Sequence, residues 1–287
     1  MKLKNSFFYT IRENIKDEDS VSGNLLVRSG MIKKTSSGIY MYLPLGLKVL
    51  NNIEKIVREE MNKINAEEVL MPSLISEDVY AESNRLSLFG DAMFKLKDRY
   101  DKNYVLGPTH EELFTMAAKN KVQSFKDLPF SIYQIQNKFR DEARPRYGLI
   151  RVREFLMKDA YSFDKDENGL NISYSNMYNA YKKIFTRIGI NYRVVKASTG
   201  SMGGILSEEF QALSDIGEDT LVFCDNCDFS SNLEICESIT KEKESSEKKL
   251  EKDLIETGDA KTIEEVSEYL NEAPFKLVKT LIYKIDN

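Results

Sequence analysis

Two segments of the chain combine the side chains that nucleotide chemistry needs: Arg140 with Glu142, and Arg151 with Arg153 and Phe155. Residues two apart in an extended chain point the same way, so Arg140 and Glu142 share a face of one strand. Arg151, Arg153 and Phe155 share a face of the next. Guanidinium forks suit a phosphate, an aromatic or arginine plane stacks on adenine, and a carboxylate accepts from its exocyclic amine; such a surface suits ATP. On alternation alone, a solvated sheet face laced with cross-strand ion pairs is the commoner source of such a pattern.

A second run, Tyr104-Val105-Leu106-Gly107-Pro108-Thr109-His110-Glu111-Glu112, reads as a strand, a turn and a helix start, with Thr109 and Glu112 at capping-box spacing. His110 is the chain's only histidine, so multi-histidine metal sites are excluded, and it reads as a spacer facing away from any pocket. The run Ser198-Thr199-Gly200-Ser201-Met202-Gly203-Gly204 lacks the lysine of a phosphate loop and reads as a tight turn. Cys224 and Cys227 have zinc-knuckle spacing, but Cys236 is the only further thiol and a structural zinc takes four ligands, so no metal is expected.

These groups need elements to position them. Residues Leu45 to Ile64 repeat apolar side chains at helical spacing, and Glu68-Val69-Leu70-Met71 is an extended run stopped by Pro72. Ile132 to Glu142 alternates, placing Tyr133, Ile135 and Phe139 on one face. Gln134, Gln136, Lys138, Arg140 and Glu142 lie on the other, which predicts a sheet with one apolar and one strongly polar face. Arg151 to Tyr161 forms a second strand, antiparallel to the first and joined to it by the basic loop Ala143 to Gly148.

The 287 residues are 41% hydrophobic, enough for a packed core, and carry a net charge of −5, which excludes a uniformly basic nucleic-acid binder. No apolar stretch reaches the roughly 18 residues of a spanning helix, and the N-terminus lacks an apolar signal core; a cytoplasmic protein without membrane contact is expected. All three cysteines fall within thirteen residues, so no disulfide framework spans the fold. A Lys, Glu and Ser-rich run around 241–249 reads as a solvated helix or linker and implies a boundary near Phe223, giving domains 1–222 and 223–287. Beyond the run, Thr262 and Glu265 match a capping box and Leu277 to Tyr283 looks like a strand.

Phe139-Arg140-Asp141-Glu142, then Pro145-Arg146-Tyr147-Gly148-Leu149, then Arg151 through Asp159 resemble the second signature motif of class II aminoacyl-tRNA synthetases in its bacterial-type prolyl form. Gly38-Ile39-Tyr40-Met41-Tyr42-Leu43-Pro44-Leu45-Gly46 resembles the first motif. The resemblance implies an α+β fold: an incomplete antiparallel sheet flanked by helices, followed by the start of an inserted α/β editing domain. It implies proline-tRNA ligase chemistry with ATP and Mg2+, acting on L-proline and tRNA(Pro), and a homodimer formed through the first motif.

By the same resemblance, Arg140 and Glu142 are the catalytic pair. Arg140 would contact the α-phosphate and Glu142 the adenine end, with Phe155 stacking on the base and Arg151 or Arg153 assisting. Thr109 and Glu111 would hold proline while Arg140 neutralises its carboxylate. Arg144 and Arg146 would meet the acceptor stem, and Lys279 would serve editing. The chain departs from the family at Glu208, where a histidine is frequent, and shows no third motif, Gly-x-Gly-x-Gly-x-x-Arg. The expectation is therefore an N-terminal portion with little activity alone. A threonyl enzyme is a rival, but its zinc uses two histidines. A non-catalytic paralogue binding tRNA or a partner is another, against which the intact Thr109, Glu111, Arg140 and Glu142 stand.

Overall fold

The computed structural model describes residues 3–16, 18, 20–200, 204–237 and 253–280. The chain divides into two compact units, Met1–Cys236 and Glu237–Asn287.

In the first unit, Ser20 caps α1 (Val21–Arg28) by accepting the Gly23 N–H. A hairpin of β1 (Ile32–Ser36) and β2 (Ile39–Tyr42) leads into α2 (Pro44–Lys63), which starts on a proline whose missing N–H is no loss at that position. The helix expected over Leu45 to Ile64 is thus present. Short elements follow: β3 (Ala66–Glu68), β4 (Leu74–Ser76), α3 (Glu77–Glu82), α4 (Arg85–Phe89), β5 (Lys95–Lys97), β6 (Asn103–Leu106) and α5 (Glu111–Lys121). The long hairpin β7 (Phe130–Phe139) and β8 (Glu154–Phe163) comes next, then α6 (Glu167–Ile188). Four strands close the unit: β9 (Tyr192–Lys196), β10 (Glu208–Ala212), β11 (Leu221–Phe223) and β12 (Ser230–Asn232). In the second unit, α7 (Ile263–Leu270) begins at the predicted capping box of Thr262 and Glu265.

Strands order β3-β7-β8, β4-β6-β5 and β10-β9-β12-β11 in the three larger sheets. Pairing is antiparallel except for β3 with β7 and β12 with β9. The architecture is α+β, as expected. Its main core lies on the apolar face of β7, where buried Tyr133 meets Met61 and Ala66 on one side and Ala180 and Ile184 of α6 on the other. Full burial of a side chain the size of Met61 or Ile184 contributes about 1.5–3 kcal/mol by leaving water. A second cluster of Ile75, Tyr80, Met93 and Val105 supports the sheet around β6.

Several boundaries differ from expectation, each for a backbone reason. The run expected at 68–71 is a strand only over 66–68, although the Val69 N–H still donates to Tyr133 O at 2.8 Å. β7 stops at Phe139 because the Asp141 N–H turns to Ala92 O, 2.9 Å away. β8 starts at Glu154, since the Arg153 N–H donates to Gly38 O at 2.8 Å. The first unit runs past the composition-based boundary at 222/223, because β11 and β12 join β9 in one sheet. Residues 277–280 form no strand, while 281–283, the charged run 241–249 and residues 201–203 of the glycine-rich turn lie outside the described residues. Among the described residues no helix is long and apolar enough to cross a membrane.

Candidate active site

The register of the long hairpin sets Gln134 opposite Asp159, Gln136 opposite Met157 and Lys138 opposite Phe155. Directly opposed residues share a face, so these form the polar side away from Tyr133. Sequence alternation found that face but not its cover. Gln134 and Lys138 are 0% exposed and Asp159 9%. The Met71 N–H donates to Gln134 Oε1 at 3.0 Å, Gln136 Nε2 donates to Met71 O at 2.8 Å, and Phe114 of α5 lies 4.2 Å from Tyr161, centroid to centroid. Burial lowers the Lys138 pKa, and Asp159, 2.9 Å away, opposes that shift and compensates the charge.

At its far end the polar face opens. Arg140 is exposed just beyond β7, with its guanidinium carbon 5.3 Å from the Phe155 ring centroid. Lost hydration lowers the Arg140 pKa, while Glu111 and Glu142 pull it back up; one cation therefore feels carboxylates from both α5 and the basic loop. Glu142 accepts from Arg151 Nε at 3.0 Å, and that bond, ahead of all other causes, holds its carboxyl below the usual range. Arg140 thus meets Phe155 while Glu142 is held by Arg151, and the backbone at 140–142 has left the strand.

Arg151 and Arg153 do different work in this structure. Arg153 donates from Nε to Glu142 O at 3.1 Å and from a terminal nitrogen to Ser37 O at 3.3 Å. Arg151 and Arg146 both reach Glu218, at 3.3 and 2.7 Å. They brace the loop, while Arg144 is exposed on it. The loop's root is fixed by Gly148, at φ +63°, where an added Cβ would stand 2.9 Å from Gly23 Cα. A hollow of about 740 Å³ lies beside the loop, lined by Lys16, Lys34, Gly38, Tyr40, Pro145 and Arg146.

Helix α5 begins at Glu111 with no side-chain cap, so the predicted box of Thr109 with Glu112 does not form. The Thr109 hydroxyl instead donates to Glu111 Oε2 at 2.6 Å, and Glu112 accepts from Ser83 Oγ at 2.8 Å. Arg85, unremarked in the sequence, sits 3.0 Å from Glu111 and 3.2 Å from Glu112. Its only signal was a cation in the otherwise uncharged Arg85-Leu86-Ser87-Leu88-Phe89 helix. Ser83, Arg85, Glu111 and Glu112 border a hollow of about 420 Å³ with Val79, Thr115 and Met116. His110, expected to face away from the pocket, is 0% exposed and bonded to Pro72 O at 3.1 Å. Glu208, the family departure, accepts from the Tyr174 hydroxyl at 2.7 Å. In the second unit, Lys279 Nζ donates to Lys261 O at 3.1 Å beside a hollow of about 170 Å³.

The model for the tRNA synthetase class II core domain (G, H, P, S and T) matches residues 94–251, and the chain belongs to that family. Its curated relatives are prolyl enzymes, as the motif resemblance implied. Proline-tRNA ligase of Caldicellulosiruptor bescii is 48% identical over 287 residues, covering 100% of this chain and 50% of that protein. Its counterpart in Oleidesulfovibrio alaskensis is 46% identical over 286 residues, with the same coverage. The chain thus spans about half the length of the curated relatives it matches. Giardia lamblia prolyl-tRNA synthetase in complex with prolyl-adenylate shares the fold, with TM-score 0.54 at 23% identity over 58% of this chain and 35% of that one.

Proposed function

We propose that this chain is the portion of a proline-tRNA ligase that binds ATP and L-proline and forms prolyl-adenylate. The observation that carries this reading is Arg140 standing over Phe155, within the electrostatic influence of Glu111 and Glu142. A guanidinium in that position can meet the α-phosphate and the amino-acid carboxylate together, with Phe155 offering adenine the ring that Arg140 now covers and Glu142 accepting from its amine. A carboxylate oxygen of proline attacks the α-phosphorus, the bond to the bridging oxygen breaks, and pyrophosphate leaves; Arg140 stabilises the charge that spreads over the phosphoryl oxygens. Glu111, oriented by Thr109, accepts hydrogen bonds from the secondary ammonium of proline.

Mg2+ would arrive bound to the ATP phosphates. Among the described residues no three acidic, thiol or imidazole groups converge into a cage for it. The prolyl group then passes to tRNA(Pro), with exposed Arg144 and Arg146 meeting the acceptor stem. Leu45, Leu47 and Val49, exposed at 40%, 44% and 48% on α2, supply the apolar surface of a homodimer, and Lys279 belongs to an editing domain starting after the first unit. Cytoplasmic residence completes the reading.

The test is proline-dependent exchange of pyrophosphate into ATP by a polypeptide that extends this chain to the length of its relatives. Exchange with proline and not threonine is expected, and this chain alone should show little or none. Binding of tRNA without any amino-acid-dependent exchange in the extended protein would replace the reading with a non-catalytic one.

A further inference from the structure

The proposed function leaves a buried charged cluster beneath the site without a task. His110 and Lys138 are each 0% exposed, and Lys138 Nζ touches His110 Nδ1 while lying 2.9 Å from the Asp159 carboxylate. Asp159 Oδ2 accepts from Gln134 Nε2 at 3.1 Å and from the Tyr161 hydroxyl at 3.0 Å. On its other side the imidazole places Nε2 3.1 Å from Pro72 O. A carbonyl only accepts and an ammonium only donates, so these two partners specify one form of the ring: neutral, with its proton on Nε2.

The charged and titratable groups facing the ring are Lys138 from β7, Asp159 and Tyr161 from β8, and Glu111 from its own helix; the segment around Pro72 contributes backbone. Lost hydration first, and Lys138 second, keep the His110 pKa below its ordinary value against Asp159, the Pro72 carbonyl and Glu111. The ring also fixes the backbone. A Cβ on Gly107 would stand 2.9 Å from His110 Cε1, and Thr109 and Glu111, joined at 2.6 Å, flank the histidine directly.

We propose that His110 is a positioning residue for amino-acid recognition: clamped as an Nε2–H imidazole between the Lys138 ammonium and the Pro72 carbonyl, it sets the angle at which Thr109 and Glu111 present themselves to proline beside Arg140. This rests on the reading of Thr109 and Glu111 as the proline contacts. A passive core histidine would need no charged partner and would not bear on one substrate more than the other.

Because the chain has a single histidine, its imidazole nitrogens give one unambiguous pair of signals in nitrogen-15 NMR of the histidine-labelled chain. A protonated Nε2 and a bare Nδ1 should persist as the pH falls through the ordinary histidine range, and Lys138→Met should shift the titration toward that range without removing the effect of burial. A proton on Nδ1, or ordinary titration in the unaltered chain, overturns the clamp. In the extended protein, His110→Leu should raise KM for proline about tenfold while KM for ATP stays within about twofold. His110→Gln, which can accept and donate at similar positions, should recover most of the loss and serves if the leucine variant does not fold. Equal changes in both KM values, or none, overturn the positioning role alone. Absence of proline-dependent exchange in the unaltered extended protein overturns the proline reading first, whatever the NMR shows.

Discussion

Arg140 lies over the ring of Phe155, its guanidinium carbon 5.3 Å from the centroid, so the cation meant for the phosphate already rests on the surface meant for adenine. Adenine entering that place would exchange one π contact for another without stranding the arginine.

Replacing Arg140 is therefore expected to act on the chemistry. In the extended protein, Arg140→Ala should lower kcat for pyrophosphate exchange by about 10²–10³-fold, the size of losing one preorganised donor to developing charge. Arg140→Lys should recover little, because an ammonium lacks the fork. An unchanged rate in either variant would remove Arg140 from the reaction.

Arg85 is 15% exposed and neutralises Glu111 and Glu112, the latter 9% exposed. Arg85→Met leaves a nearly buried carboxylate without its cation and should cost about 2–3 kcal/mol in urea unfolding of this chain. Adding Glu112→Gln should return part of that loss. Additive costs in the double variant would mean the pair is not coupled.

Gly148→Ala tests the root of the basic loop. The left-handed backbone at φ +63° and the 2.9 Å approach to Gly23 Cα leave no room for a methyl group, so about 1–3 kcal/mol of strain is expected. Limited proteolysis should cut the 143–150 region faster in the variant; an unaltered cleavage pattern would mean the loop is anchored elsewhere.

Glu60 is 2% exposed and bonded to Lys63 at 2.7 Å and to Arg187 at 2.6 Å, tying α2 to α6. Lys63 first, then Arg187, hold its carboxyl below the ordinary range against the cost of burial. A folded pKa below the unfolded one stabilises above the ordinary glutamate value near 4.3 and loses that contribution as pH falls through the folded value. Glu60→Gln should thus lower Tm by several degrees at pH 7, with the gap closing below about pH 4. A gap independent of pH would point to packing instead of charge.

The periodic signals were the legible part. Alternation in Ile132 to Glu142 gave the hairpin's two faces, and helical spacing after Leu45 gave α2, because both record which side meets the core. Alternation also set Arg140 on the side of Phe155, but it did not extend to Glu142, because β7 ends at Phe139. What escaped was contact between distant segments: alternation cannot say that residues near Pro72 and the start of α5 cover Gln134 and Lys138, so the burial of Lys138 and His110 has no signal in the sequence. The capping box failed for a related reason. Thr109 had a nearer acceptor in Glu111.

A hairpin enclosed on both sides has only one workable alignment. Sliding β7 by a single residue would drive Lys138 and Gln134 into the greasy layer under α6 and turn Tyr133 toward Asp159, an error punished twice over. The spacing between Arg140 and Phe155 is consequently settled when the polypeptide first assembles, before any nucleotide is met.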